Sequence, residues 1–203
     1  MNEARKVALA VVGLGPWGSN LLRAFSSIER ARIVAICDVD RTRVDAPVLL
    51  GGAVVRSTDA AEVMRRPDVD AVVLATPPPE HAPQAMAALG HGKHVFVEKP
   101  MALCARDAGM IEHAAAASRK KVMVGHILRH HPGLLSVIDL VANGALGEIR
   151  SVHATRLSAT ALAEHETAWW SLAPHDVSAI RAIVGQNPLA IRAFEDPPIG
   201  TGH

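Results

Sequence analysis

Gly13-Leu14-Gly15-Pro16-Trp17-Gly18 stands between a continuous apolar run, Val7–Val12, and a stretch with helical spacing, Trp17–Phe25. A run apolar at every position suits a strand covered on both faces, which is the situation inside a parallel sheet. Glycines at these three positions suit a strand-to-helix turn with distinct jobs. The first permits the tight turn, the second lets a backbone approach a pyrophosphate, and the third lets helix and strand pack closely. Phosphates placed there meet the unpaired amides and the positive dipole end of the helix. Asp38 closes the next apolar run, Ile33–Cys37, at about the 20-residue distance at which an acidic side chain meets ribose hydroxyls. The motif therefore predicts a dinucleotide. A carboxylate at position 38 repels a 2′-phosphate, which favours NAD over NADP; Arg41 and Arg43 nearby soften that preference.

The rest of the first part alternates strand and helix patterns. Short strands are expected at 53–56, 71–75, 94–97 and 122–124, with helices from Arg41 to a limit at Pro47, from a cap at Ser57, Thr58 or Asp59 to about Arg65, and at 80–89 and 105–118. Such alternation implies a parallel sheet with right-handed crossovers. After Gly125 the pattern changes. Helices are expected at 132–141 and 177–184, and alternating strands at Ile149–Leu157 and Leu189–Phe194. The chain is thus divided into residues 1–125, an NAD(P)-binding domain, and residues 126–203, the opening of an α+β domain.

Composition excludes several classes. Apolar residues make up 49% of the 203, enough for a sizeable core. A net charge of +1 gives no electrostatic reason to expect nucleic acid or an anionic membrane. Aromatic content of 3%, with no Tyr, argues against a base-stacking surface. Two unpatterned cysteines, Cys37 and Cys104, fit a reducing cytoplasm, where the protein is expected. Met1–Lys6 is polar and the apolar run behind it short, so no leader peptide is read there. His126, His130 and His131 lie close together, but no carboxylate or cysteine joins them, and no metal is expected.

Lys99 follows the apolar run Val95–Val97 and precedes Pro100, at the carboxyl end of an expected strand, where ligands bind in open α/β sheets. Oxidation of an alcohol needs a base for the hydroxyl proton, a role lysine fills when its surroundings favour the neutral amine. With Gly13–Gly18, Asp38, Ala75-Thr76-Pro77 with His81, Gly92–Pro100, Val124-Gly125-His126 and Gly147-Glu148-Ile149, the chain resembles the Gfo/Idh/MocA oxidoreductases. The resemblance runs in order along nearly the whole chain, and Glu98-Lys99-Pro100 is its most specific piece. It implies a Rossmann doubly wound parallel sheet followed by an incomplete α+β domain. Trp17–Arg23 and Leu172–Ser178 are similar to the nucleotide-sugar branch, the UDP-N-acetylhexosamine and hexosaminuronate 3-dehydrogenases of surface-polysaccharide synthesis.

The resemblance carries expectations for particular residues. Gly13, Gly15, Pro16, Trp17, Gly18, Asp38, Thr76, Pro77, His81, Glu98, Lys99 and His126 would face NAD. Lys99, Arg156, Ser171, His175 and Asp176 would face a sugar or nucleotide-sugar substrate, with Lys99 as base, His175 on the reacting hydroxyl and the Lys99–Pro100 peptide cis. A homo-oligomer or a partner chain is implied. Two departures stand out. The family has an aspartate where this chain has Ser171, and its members are longer. They keep alternatives open: an NAD-binding protein or partner subunit without turnover, or an inositol or free-sugar dehydrogenase.

Overall fold

The computed structural model describes residues 5–46, 52–157 and 167–194. Its centre is β1, Val7–Val12, whose residues after Val7 are all buried. Ala8, Ala10 and Val12 face one side and Leu9 and Val11 the other, and each side belongs to a separate apolar cluster. The strand is therefore covered on both faces, as its unbroken apolar run requires.

Around it lie β2 (Ala31–Cys37), β3 (Val55–Ser57), β4 (Ala71–Leu74), β5 (His94–Val97) and β6 (Val122–Val124). All pairings are parallel, and the order is β3-β2-β1-β4-β5-β6. The chain direction across the sheet reverses between β1 and β4. The crevice at such a switch point, beyond the carboxyl ends of the strands, is where open α/β sheets take ligands.

Helices α1 (Pro16–Ser26) and α2 (Arg41–Asp45) cover one face, contributing Leu22 and Val44. Phe25 of α1 meets Phe96 of β5 edge to face, with ring centroids 5.4 Å apart. Helices α3 (Ala60–Arg65), α4 (Pro78–Gly90) and α5 (Ala105–Ser118) cover the other face with Val63, Met64, Ala85, Leu89 and Ile111. Asp59 caps α3 by accepting from Ala61 N at 2.8 Å. Helix α4 starts at Pro78, before the expected Glu80, because prolines fit a first turn whose N–H groups have no helical acceptor.

After β6 come a 3-10 turn (Ile127–His130), α6 (Pro132–Ala142), α7 (Ala168–Ser171) and α8 (Ala173–Val184). The strands expected at Ile149–Leu157 and Leu189–Phe194 are not formed. Alternation prepares one face of a strand, but a strand also needs a hydrogen-bonded neighbour, and among the described residues neither segment has one. Leu157 and Phe194 are accordingly 89% and 91% exposed.

Candidate active site

The switch-point crevice opens into a cavity of about 830 Å³. Gly13, Gly15, Pro16, Trp17 and Asp38 line one end; Thr76, Pro77 and His81 the middle; Glu98, Lys99 and His175 the other end. Gly13 has φ +90°, and a Cβ there would lie 2.6 Å from the backbone of Ala75. A Cβ on Gly18 would lie 1.9 Å from Gly13 O. Both glycines are thus demanded by backbone packing. Gly15 is different, since a Cβ there meets nothing nearer than Arg43 Nη1 at 3.9 Å. Its missing side chain leaves room on the cavity side. Gly15 also caps α1 without a side-chain bond, and Pro16 has no N–H. The amides that follow, at Trp17 and Gly18, are left for an anion.

Asp38 is buried, and its Oδ2 accepts from Leu14 N at 2.6 Å while Oδ1 accepts from Asp40 N at 2.9 Å. The first bond ties the glycine turn to the end of β2. Arg43 Nη1 lies 3.5 Å from Oδ2, and Oδ1 keeps a lone-pair site for a hydroxyl. Arg43 is also held by Asp40 at 3.4 Å, and Arg41 by Asp45 at 2.8 Å. Both arginines expected to soften the NAD preference are therefore engaged by carboxylates. Cys37 lines the same end; burial first, then Asp38, pushes its thiol up to about 11, so it stays protonated.

At the other end the Lys99–Pro100 peptide is cis. Lys99 Nζ donates to the backbone carbonyl of Ser171 at 2.7 Å, which brings α7 onto the loop after β5. Glu98 is buried; its Oε2 accepts from Lys99 N at 3.2 Å. Gly125 makes room for it, since a Cβ there would lie 2.6 Å from Glu98 Oε1. Glu98 Oε1, His126 Nδ1 and His175 Nδ1 are buried without a hydrogen-bond partner. Orphaned polar atoms of this kind are costly in a finished core and signal a polar ligand. With the open space at Gly15 and the free amides of α1, the atoms of Glu98 and His175, which line the cavity, fit a dinucleotide lying along it; His126 is not among its lining residues.

Three of the nominated residues make hydrogen bonds within the protein. Arg156, nominated for substrate, pairs bidentately with Asp176, also nominated, at 2.9 and 2.7 Å. That pair holds the Asp176 carboxyl below its usual value. His81, nominated for the cofactor, uses both ring nitrogens on backbone: Nδ1 lies 2.7 Å from Pro100 O and Nε2 2.7 Å from Thr76 O. As a neutral ring it donates to one of them, as imidazolium to both. It fastens the loop after β4 to the turn after Lys99 from beneath the site. His81→Ala is expected to lower unfolding free energy by about 1–3 kcal/mol for each carbonyl left without a donor, read from denaturant midpoints. Sequence reasoning missed Gln84, which lines the cavity and accepts from Thr76 Oγ1 at 2.8 Å; with Glu80 and His81 also polar on α4, nothing local set it apart.

Burial, then Lys99, Arg156 and His126, lower the His175 pKa, with Asp176 opposing. Burial, then Arg129 and Lys99, lower that of His126. Unfolded histidines protonate near pH 6.5, so below that pH the unfolded chain binds more protons and stability falls. The contribution is complete above about pH 6.5. Paired carboxylates such as Asp176 lose theirs only below about pH 4. The melting point is therefore expected to drop between pH 7 and 5, and less so in the His126→Gln, His175→Gln double variant.

A parallel sheet in this order, with a glycine turn at one end of its crevice and a lysine at the other, is the layout of a nucleotide-binding α/β domain. The chain belongs to the Gfo/Idh/MocA family: the model of the oxidoreductase family with NAD-binding Rossmann fold matches residues 7–126. It is 32% identical over 190 residues to an inositol 2-dehydrogenase of Saccharopolyspora erythraea, covering 91% of this chain and 56% of that one. The scyllo-inositol dehydrogenase of Lactobacillus casei, solved with NAD(H) and scyllo-inositol, shares the fold at TM-score 0.76 and 23% identity, over 89% of this chain and 57% of that one. The WlbA dehydrogenase of Chromobacterium violaceum, solved with NADH and UDP-GlcNAcA, superposes at TM-score 0.66 and 28% identity, over 71% and 42%. The chain spans about half the length of the curated relatives it matches. Among the described residues no helix is long and apolar enough to cross a membrane, and no three His, Cys, Asp or Glu form a metal-holding group.

Proposed function

We propose that the chain belongs to an NAD(H)-dependent dehydrogenase that oxidises a ring hydroxyl of a sugar or cyclic polyol. The observation that carries this is the joint position of Lys99 and His175 in the cavity that the glycine turn opens. When bound, NAD supplies the acceptor for the hydride leaving the carbinol carbon. The protein supplies position and proton handling. Lys99 takes the hydroxyl proton on Nζ, and the carbonyl of Ser171 accepts one of the resulting N–H groups. Neutral His175 orients the hydroxyl, and the buried Glu98 offers its free Oε1 to the cofactor side.

Two substrate classes fit. Inositol dehydrogenases recur among the relatives, while the nucleotide-sugar class is supported by the likeness to WlbA and by Leu172–Ser178. A second reading is NAD binding without turnover. It draws on the meeting of Lys99 with a backbone carbonyl at Ser171, where the resemblance implies an aspartate. Titration calorimetry with NADH and NADPH, followed by NADH formation from NAD with inositols and UDP-sugars, tests both. NADH binding and turnover of one substrate are expected. No NADH binding would sink the dehydrogenase reading; binding without turnover on any substrate would favour the second.

A further inference from the structure

Arg156 lies in the irregular segment 151–157, and its guanidinium forks onto α8. Nε donates to Asp176 Oδ2 at 2.9 Å and Nη2 to Oδ1 at 2.7 Å. One planar group thus engages both carboxylate oxygens. Side-chain exposures of 34% and 23% leave the pair partly in water, where an ion pair adds little stability. Its place matters more than its strength. Asp176 follows His175 in the first turn of α8, the turn that brings His175 to the cavity. Leu172 caps that helix without a side-chain bond. The corner is fastened from outside instead: Lys99 Nζ holds the Ser171 carbonyl just before α8, and Arg156 holds Asp176 within it.

The charges around His175 come from four directions: Lys99 on the loop after β5, His126 after β6, Arg156 on segment 151–157, and Asp176 on α8 itself. Burial weighs most against an imidazolium there, followed by Lys99, Arg156 and His126, and Asp176 opposes them. Arg129 meets α8 one turn further on, 3.5 Å from the Ser178 carbonyl, and Asp139, the ionisable residue of α6, is exposed. His175 Nδ1 is buried without a hydrogen-bond partner among the described residues, so on that side the surrounding charges decide whether the ring holds a second proton.

Coupled to Arg156, Asp176 presents a balanced pair to the ring in place of a bare negative charge. Freed of Arg156, the carboxylate would offset Lys99 and draw a proton onto His175. An imidazolium donates through both nitrogens and has no lone pair left to accept from a hydroxyl. It would also set a positive charge beside the amine that has to take the hydroxyl proton.

We propose that Arg156 is a positioning residue for the reaction: its fork fixes the first turn of α8 and masks the Asp176 charge, so that His175 meets the substrate hydroxyl as a neutral ring. This role rests on the dehydrogenase reading of Lys99 and His175. The full chain is prepared with carbon-13-labelled histidine, and the His175 Cε1–H resonance, identified by its loss in His175→Gln, is followed from about pH 8 to about pH 5. Arg156→Gln is expected to raise the proton affinity of the ring about three- to tenfold, and Asp176→Asn to lower it by a similar factor. The Arg156→Gln, Asp176→Asn double variant returns toward the parent, because neither charge remains. A pair that only braced the corner would shift all three variants the same way, toward ordinary histidine, as water entered the loosened site. Shifts in one direction, or no shift, overturn the proposal. Arg156→Lys keeps the charge without the fork and should titrate closer to the parent than Arg156→Gln; a titration equal to that of Arg156→Gln overturns the masking. NADH formation from NAD with inositols and UDP-sugars is the second readout, in which Arg156→Gln is expected to lower kcat about tenfold or more and to leave the KM for NAD unchanged. If the parent chain turns over none of them, the dehydrogenase reading falls, and the opposed titration shifts still decide whether Arg156 masks Asp176.

Discussion

Lys99→Met is expected to leave NADH binding intact and to lower turnover by roughly 10²–10⁴-fold, the usual worth of a positioned proton acceptor. Methionine keeps an unbranched apolar stem, so what is lost is the amine and its 2.7 Å bond to the carbonyl of Ser171. The cofactor end of the cavity, built from Gly15, Asp38 and the start of α1, is untouched. Lys99→Arg separates two explanations that a single loss would confound. If Lys99 only holds a partial negative charge on the substrate oxygen, arginine should restore much of the rate. If it must take a proton, arginine cannot help, because its guanidinium is never deprotonated in a protein. Loss of activity in both variants, with NADH affinity unchanged by calorimetry, is the expected pattern. A Lys99→Arg enzyme near the parent rate would overturn proton acceptance and leave an electrostatic role.

How far the site was legible in the sequence depends on how local each interaction is. β5, α5 and β6 lie where the apolar runs and glycine or proline boundaries place them, signals that are contained within each segment itself. The glycine turn and Asp38 are local in the same sense; the fold brings them together through one bond from Leu14 N. His81 is not. Its partners are the carbonyls of Thr76 and Pro100, and nothing around position 81 announces that a residue nineteen positions on will lie within reach. Arg156 and Asp176, twenty apart, satisfy each other for the same hidden reason. Ser171 is harder still, since its contact with Lys99 runs through a backbone carbonyl that every residue type carries. The strands expected at 149–157 and 189–194 fail at another step. Alternation tells which face is apolar and says nothing of whether a neighbouring strand exists to bond to.

Gly15→Ala and Gly18→Ala should fail in opposite ways, although the two glycines sit in one six-residue motif. At Gly18 a methyl would lie 1.9 Å from Gly13 O and 2.8 Å from Gly13 C. Neither atom belongs to a flexible side chain, so α1 must move off β1, at a cost on the order of 3 kcal/mol. Gly18→Ala is therefore expected to melt well below the parent chain, and any loss of NADH binding would follow from that. At Gly15 the backbone has φ −59°, which alanine adopts freely, and the methyl meets only Arg43 at 3.9 Å. Stability should stay within about 0.5 kcal/mol. The methyl does occupy the space through which a pyrophosphate reaches the amides of Trp17 and Gly18. Losing one or two such charge-assisted bonds costs about 2–3 kcal/mol, or roughly 100-fold in NADH affinity. Denaturant unfolding and NADH titration on both variants resolve the cases. An unaltered NADH affinity in Gly15→Ala would mean that the phosphates do not lie on the start of α1, and the cofactor reading would lose its anchor. An unaltered midpoint in Gly18→Ala would mean that the helix and strand are not in the contact that makes the turn a binding site at all.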